Sequence, residues 1–372
     1  MNLNRRLVFT DIGSTLRQKE EVKMSKLLET PKRWIGVDLH KTQFTVCYMH
    51  ENGEYEMQEF RVSEAGFEEF RKSLRAEDSV AVESTGNTGY FIEQIKGLVS
   101  EVKIINPLQF KIISTSVKKT DERDAVIMAR YLSKGLIPEV RMRSKEQRQL
   151  SSLINTRDKL VKLRTSLKNK IHNIFNENGI VTKREVYSSD KALRKVLEIP
   201  LDSSYRFELG LIVKQVQQLN ESIKEADRKI EEEGQKLKGH KNITSITGIG
   251  DKTAAILLNK IGDVNDFSEE KKLDAYLGIV PSVSQSNEKC FYGPITKMGD
   301  KIARTALVQA TLTVIKYNDY LRNFYLKLKT KKGHGKAIIA TARKYLHIIY
   351  KTLKYNWVFK DFNKFELAEN IG

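Results

Sequence analysis

The chain has 372 residues, with 65 Lys and Arg against 47 Asp and Glu, a formal net charge of +18 and a pI near 9.6. At about 100–200 residues per domain this length implies two or three domains and excludes a single small module. A hydrophobic share of 40% with 15 Phe and 14 Tyr can fill packed cores, yet no run approaches the ~20 uncharged apolar residues of a membrane span, so a soluble protein is expected. Cys47 and Cys290 cannot build a disulfide framework, and with six scattered histidines they offer no structural-zinc spacing, which fits a reducing cytoplasm. So large a positive excess points to a polyanionic partner, nucleic acid first, because each Lys or Arg set against a phosphate releases condensed counterions.

Residues 1–30 carry no sustained apolar period and no signal-peptide core, and read as a loosely held extension in which Met24 is the expected working start. Strand signals follow at residues 34–38, 42–49 and 55–62, the last two joined across the turn-forming Glu51-Asn52-Gly53, which makes a three-stranded antiparallel start. A helix over 67–74 leads to an apolar strand at 79–83, a second over 90–98 to a strand at 102–105, and a third is expected over 121–132. That element order is the order of an RNase H-like domain, assigned to residues 31–140.

A helical segment follows over 141–238. Residues 145–178 read as one long helix, with Leu150, Leu153, Leu160, Leu163, Leu167, Ile171 and Ile174 on one side and Arg148, Arg157, Lys159, Lys162, Arg164, Lys168 and Lys170 on the other. Leu209, Ile212, Val216, Leu219, Ile223, Ala226 and Ile230 then keep the 3-4 spacing of a coiled-coil seam, which serves either a hairpin within one chain or a dimer contact. Past the expected breakers Gly234 and Gly239, a mainly helical domain over 239–372 carries 16 Lys and Arg against five Asp and Glu from Ile295 onward, with Tyr317, Tyr320, Phe324, Tyr325, Tyr345, Tyr350, Tyr355 and Trp357 interleaved. Aromatics at that spacing read first as helix core, with a basic face over it.

Four acids fall where they can act together. Asp38 ends the first strand, Glu83 ends the fourth, and Asp121 and Asp124 open the third helix three residues apart, on one face. Carboxylates meeting at one point repel unless divalent cations neutralise them, and hard oxygen ligands favour Mg²⁺ or Mn²⁺, which can act in pairs on a phosphodiester. The bland reading is that Asp121 and Asp124 complement a helix dipole. The segment Ile246-Thr247-Gly248-Ile249-Gly250-Asp251-Lys252-Thr253-Ala254-Ala255 looks like a helix-hairpin-helix turn, whose backbone N–H groups can approach a phosphate, or else a plain glycine turn between packed helices. Leu277-Gly278-Ile279-Val280-Pro281 precedes a polar loop expected over 282–289.

Together these residues resemble the DEDD-type transposases of insertion sequences, a family that includes Piv-like DNA invertases and is described as bridge-RNA-guided recombinases. The resemblance runs from about Arg33 to the mid-340s through Gly36-Val37-Asp38-Leu39-His40-Lys41, Val82-Glu83-Ser84-Thr85-Gly86, Lys119-Thr120-Asp121-Glu122-Arg123-Asp124-Ala125, Gly248-Ile249-Gly250, Tyr276-Leu277-Gly278-Ile279-Val280-Pro281 and Ile295-Thr296-Lys297-Met298-Gly299-Asp300. It implies a RuvC-like N-terminal domain whose Asp38, Glu83, Asp121 and Asp124 hold Mg²⁺ or Mn²⁺, a coiled-coil connection, and a C-terminal transposase domain that supplies a serine nucleophile. Counting along the family pattern places that serine at Ser286, with Ser284 as the alternate; Asn287-Glu288 stand where the family commonly has glycines. It further implies DNA partners (element ends and target), a structured noncoding RNA, a homo-oligomer (dimer or tetramer), no membrane, and action at the bacterial nucleoid in the cytoplasm. Arg148, Arg157, Arg164, Lys168, Lys252, Lys297 and Arg304 are the expected nucleic-acid contacts. Two rivals remain at this level: a metal-dependent junction resolvase that hydrolyses DNA without a covalent link, and an inactive nucleic-acid-binding protein, against which clustered acids argue because binding phosphate gains nothing from them.

Overall fold

The computed structural model describes residues 32–107, 109–110, 121–141, 143–182, 187, 189–286 and 289–368, and the chain divides into two compact units, residues 1–142 and 143–372. The extension expected over 1–30 lies outside the described residues, as do Asn287 and Glu288.

In the first unit, β1 (Trp34–Leu39), β2 (Gln43–Met49), β3 (Tyr55–Arg61), β4 (Ser79–Glu83) and β5 (Glu101–Ile105) form one sheet in the order β3-β2-β1-β4-β5. β2 runs antiparallel to both β1 and β3, while β4 runs parallel to β1 and β5 parallel to β4. Helices α1 (Glu64–Ser73) and α2 (Thr88–Ile95) fill the connections around β4. Strand alternation sorts the side chains onto two faces. Ile35, Val37 and Leu39 join Phe44, Phe67 and Phe91 in one buried cluster, with Phe44 ring centroids 5.2–5.4 Å from those of Phe60, Phe67, Phe70 and Phe91, the spacing of favourable aromatic pairs.

The opposite face holds Gly36 and Asp38, and across it lies α3 (Asp121–Ser133), whose Ala125 and Ala129 pack with Cys47 and Met49. A Cβ at Gly36 would stand 2.0 Å from the Ala125 carbonyl oxygen and 2.6 Å from the Ala129 nitrogen. Glycine is therefore required here for the helix to rest directly on the strand backbone. Cys47, paired with Gly36 across the ladder, is fully buried, and burial pushes its thiol up to about 12, so it is an inert core residue. Arg33 anchors the edge of the sheet on the side of the Phe cluster: Nε and Nη2 donate to Asp78 Oδ1 and Oδ2 at 2.9 and 2.6 Å, Nη2 also donates to the Ser73 carbonyl, and the guanidinium lies 4.8 Å from the Tyr48 ring centroid. Asp78 is completely buried, so the pair survives only because both carboxylate oxygens are hydrogen-bonded.

The second unit opens with α4 (Lys145–Glu177), started by a capping box between Ser144 and Gln147, and continues through α5 (Asp190–Val196) to α6 (Ser203–Gln235). Ile171, Ile174 and Phe175 of α4 pack against Leu209, Ile212 and Val216 of α6. Of the two options the sequence leaves open, the seam is thus covered within one chain. Leu163 is not part of it and stays 56% exposed. α6 continues through Gly234, contrary to the expected break there. Asp227 of α6 ties three helices: it accepts from Arg157 Nε at 2.8 Å and from Lys252 Nζ at 2.8 Å, Lys252 belonging to α8 (Asp251–Ile261), which follows α7 (His240–Thr244).

Next come α9 (Glu270–Tyr276), α10 (Lys301–Tyr317) and α11 (Asp319–Lys354), which enclose a core that includes Leu257, Leu273, Leu307, Val314, Tyr345 and Ile349. The interleaved aromatics divide. Tyr345 is fully buried and its hydroxyl donates to the Thr247 carbonyl at 2.7 Å, bracing the Gly248 turn, whereas Tyr317, Tyr320 and Tyr355 are more than half exposed. Between α9 and α10 the expected polar loop is in fact an antiparallel ribbon of β6 (Pro281–Ser286) and β7 (Lys289–Ile295). A two-strand pair, β8 (Phe359–Asp361) and β9 (Glu366–Leu367), closes the described chain. No helix among the described residues is long and apolar enough to cross a membrane.

Two outcomes test this packing. Gly36→Val should lower unfolding free energy in urea by about 1–3 kcal/mol, since the new side chain must lift α3 off β1; a change below about 0.5 kcal/mol would mean that the helix is not seated there. Burial raises the Asp227 carboxyl, but the hydrogen bonds and charges of Arg157 and Lys252 outweigh it and hold the group below the usual carboxylate range. A depressed folded value means stabilisation that is present above the ordinary carboxylate pKa and lost as pH falls through the folded one. Asp227→Asn should therefore cost about 1–2 kcal/mol at pH 7 and flatten the acid limb of the stability curve; an unchanged acid limb would assign that limb to other carboxylates.

Candidate functional site

The register of the parallel pair runs Gly36↔Ala81 and Val37↔Val82, so the next step brings Asp38 level with Glu83 at the end of β4. Both project to the face covered by α3. On that helix Asp121 sits one turn before Ala125, the residue seated against Gly36, and Asp124 lies beside it. Asp38 is 8% exposed, and Asp121 and Asp124 sit nearer the surface. Burial is the main cause that pushes the Asp38 carboxyl above its usual value; nearby His40 opposes the shift, and the charges of Asp121, Asp124 and Glu83 add to it. Asp121, Asp124 and Glu83 therefore all act electrostatically on Asp38.

His40 is at the centre of the tightest part, with Nε2 3.2 Å from Asp38 Oδ2 and 3.1 Å from Asp121 Oδ2. One ligand atom each from Asp38, His40 and Asp121 fits within 4.8 Å of the others; among the described residues Glu83 and Asp124 stand outside that innermost group. The turn after β4 locks the geometry. Asn87 Nδ2 donates to the His40 carbonyl at 2.7 Å, Thr85 Oγ1 donates to Asn87 Oδ1 at 2.8 Å, and Thr88 Oγ1 donates to the Glu83 carbonyl at 2.6 Å. This chain of hydrogen bonds ties the end of β1 to the end of β4. The hard carboxylate oxygens suit a divalent cation, whose charge would offset the burial and the carboxylate repulsion that together raise Asp38.

The ribbon presents the candidate serines in the second unit. In its register Ser284 stands opposite Phe291 and Ser286 opposite Lys289. Its base is clamped by the two motifs that flank it. Thr296 N donates to the Val280 carbonyl at 2.9 Å, Lys297 N to the Gly278 carbonyl at 3.1 Å, and Arg304 Nη1 to the carbonyls of Leu277 and Gly299 at 3.0 and 2.8 Å. Asp300 caps α10 through the N–H groups of Ile302 and Ala303 and pairs with the buried Lys260 at 3.0 Å. Burial alone would raise the Asp300 carboxyl, but those donors hold it below the usual range.

Most of the expected nucleic-acid contacts are engaged inside the unit. Arg148 Nη1 donates to the Arg143 carbonyl at 2.9 Å, Arg157 and Lys252 bracket Asp227, and Arg164 Nη1 donates to Asn220 Oδ1 at 3.0 Å. Lys168 Nζ donates to the Tyr187 carbonyl, and burial together with Arg164 lowers its pKa. Arg304 is the ribbon clamp, and Lys297 is exposed. Sequence reasoning missed His40 and Asn87 as parts of the site. For His40 the signal was present, two residues beyond Asp38 in a strand-end motif; for Asn87 none was, because its partner is a backbone carbonyl 47 residues away.

Acids converging from two parallel strands and a helix, together with a serine-bearing ribbon, agree with two family models. The DEDD model of the IS110 group, described as "Transposase", matches residues 35–178, and the model described as "Transposase IS116/IS110/IS902 family" matches residues 240–326. Among similar proteins, the transposase for insertion sequence element IS1111A of Coxiella burnetii is 26% identical over 326 residues, 86% of this chain and 89% of that one. The transposase for insertion sequence element IS1328 of Yersinia enterocolitica is 26% identical over 77% of this chain and 85% of its own length. A pilin gene-inverting protein of Moraxella lacunata is 25% identical over 350 residues, 87% of this chain and 97% of that one. The protein is of the transposase class, an enzyme of DNA strand transfer. Within that class it belongs to the IS110/IS116 family of insertion-sequence transposases.

Asp121→Asn and Asp124→Asn keep side-chain size and remove the charge that would hold a cation. Each should abolish DNA strand cleavage in Mg²⁺ and weaken Mn²⁺ binding in calorimetric titration, with DNA binding retained. A variant that cleaves at the parental rate would remove that aspartate from the site.

Proposed function

We propose that the chain cuts and rejoins DNA through a transient phosphoserine link, on an RNase H/RuvC-like carboxylate domain that uses Mg²⁺ or Mn²⁺, with target choice delegated to a structured noncoding RNA. The observation that carries this is the convergence of the Asp121, Asp124 and Glu83 charges on Asp38 of a β3-β2-β1-β4-β5 sheet. That strand order, three antiparallel strands followed by two parallel ones, supports the RNase H-like reading.

In the chemistry proposed, the Ser286 hydroxyl attacks the scissile phosphorus, the P–O bond to the deoxyribose breaks, and the serine proton passes through a nearby base to the departing oxygen, which leaves as a hydroxyl. The free hydroxyl of the partner strand then attacks the phosphoserine, re-forming a phosphodiester and returning the serine. Asp38, Asp121, Glu83 and Asp124 would hold the cation, which supplies charge neutralisation for the phosphodiester when bound. The chain's own carboxylates fix its place, and His40 orients the Asp38 and Asp121 oxygens between which it lies. No bond is lost to water, so the same steps serve insertion of an element and inversion of a segment, the two activities in the names of the relatives. Hydrolysis, as in a resolvase, serves neither by itself. Bridge-RNA guidance is what the family resemblance implies, and the internal engagement of Arg157, Arg164 and Arg304 is compatible with it because those three guanidinium groups are not free to read bases in a major groove. Action as a dimer or tetramer is part of the same proposal, since two strands must be held at once, and so is action on the bacterial chromosome in the cytoplasm.

The test is a suicide DNA substrate whose cleaved product cannot religate. The parent protein should yield a phosphorylated peptide spanning Ser286, and Ser286→Ala should give none while changing stability by less than about 0.5 kcal/mol. An adduct that persists in Ser286→Ala and disappears in Ser284→Ala would move the nucleophile to Ser284. Cleavage without any adduct would establish hydrolysis. RNA bound to protein co-purified from cells that carry the element's native flanks should map to those flanks, and its absence would exclude RNA guidance.

A further inference from the structure

Between Asp319 and Asp361 the chain carries eleven Lys and Arg and no Asp or Glu. α11 spans most of this segment, and its backbone leaves the helical region at Gly333, with φ 76° and ψ 169°, a conformation that favours glycine. In an unbroken helix Tyr320 and Lys344 would lie ~36 Å apart at 1.5 Å per residue. Instead Lys344 Nζ stands 4.1 Å from the Tyr320 ring centroid and 4.3 Å from that of Phe324. The Tyr325 hydroxyl and His334 Nδ1 share a hydrogen bond of 2.7 Å, and Tyr325 packs with Ala337 and Ile338. The helix therefore doubles back as two arms.

The tip of this hairpin, residues 329–336, is exposed throughout and carries Lys329, Lys331, Lys332 and Lys336. Among the described residues no carboxylate pairs with Lys331, Lys332 or Lys336. Aromatic and aliphatic packing between the arms holds these like charges together, and the resulting positive field is relieved by a bound polyanion. Every tip cation is a lysine, a compact point charge that meets phosphate without the planar fork by which arginine reads guanine.

We propose that the lysine tip of α11 is a docking site for the phosphate backbone of duplex DNA, one that positions the duplex without reading its sequence. This rests on the chain acting on DNA and requires neither the serine nor the metal chemistry. The experiment measures binding of the full chain to a short random-sequence duplex across a range of KCl concentrations, with cleavage and adduct formation scored separately. Lys331→Gln, Lys332→Gln and Lys336→Gln combined should lower the slope of log affinity against log salt by about 0.9 per lysine, with an unchanged melting temperature, and the triple Lys→Arg variant should restore the parental slope. Lys191→Gln, Lys195→Gln and Lys214→Gln combined, three exposed lysines on α5 and α6, remove the same charge elsewhere and should leave the slope nearly unchanged. An unaltered slope in the tip variant, or an equal drop in the control, would overturn the proposal. So would a drop confined to a structured RNA titrated in parallel. Failure of adduct formation with an intact slope effect would instead count only against the serine mechanism.

Discussion

The contact on which the acid-bearing unit depends is the backbone seat of α3 on β1. With no side chain at Gly36, the Ala125 carbonyl and the Ala129 nitrogen occupy the space a Cβ would fill. That approach turns a helix that merely covers a sheet into one whose first turn reaches the strand end. The strand's alternation does the rest: Gly36 and Asp38 project to the same side, so whatever sits on Gly36 has its neighbouring turn at Asp38. The Phe cluster on the other face makes the sheet stiff enough for this placement to hold, since close-packed interiors transmit displacement and do not absorb it.

A different device positions the serines. A two-stranded ribbon is marginal alone in water, and Val283, Phe291 and Tyr292 on this one are each more than half exposed, so its own burial contributes little. What holds it is its base, where the backbone of residues 277–280 hydrogen-bonds to that of residues 296–299 and the Arg304 guanidinium bridges both. The two motifs that flank the ribbon are thus explained by anchoring and need no chemistry of their own.

How far the sequence reveals this varies with the range of the interaction. The strands were legible because period-two alternation is local, and the four acids because each sits at a strand end or helix start, positions that topology makes converge. The ribbon was not, since Ser282, Ser284, Gln285 and Ser286 have weak strand preference and their pairing is imposed by the clamp at residues 277–280 and 296–299. Charge was legible in sign and not in use: Arg157 reads as a solvated helix face, yet its partner Asp227 lies 70 residues on. The α11 hairpin was hidden for a related reason. Residues 319–354 hold no proline and, apart from Gly333 and Gly335, no residue that breaks a helix, and a reversal that rests on one backbone torsion leaves no periodic trace.

The distribution of charge also fits an enzyme that must bring a polyanion to a cluster of acids. Asp38, Glu83, Asp121 and Asp124 repel phosphate as strongly as they repel one another, so attraction has to originate elsewhere. The chain meets this by segregation. Eleven of its eighteen excess positive charges lie beyond residue 294, in the unit that carries the ribbon, while the acids lie in the other unit. Where bases and acids do meet in the second unit, at Asp227, Asp274 and Asp300, they are joined in closed contacts that hold helices together and leave little net field. The lysines at the tip of α11 have no such partner among the described residues, and long-range attraction is set by charge that is not neutralised nearby. Arg157, Lys252, Lys260 and Arg343 thus spend their charge on joining helices, while the tip lysines keep theirs, and a compact ammonium in that position suits contact with a phosphate backbone better than the reading of bases.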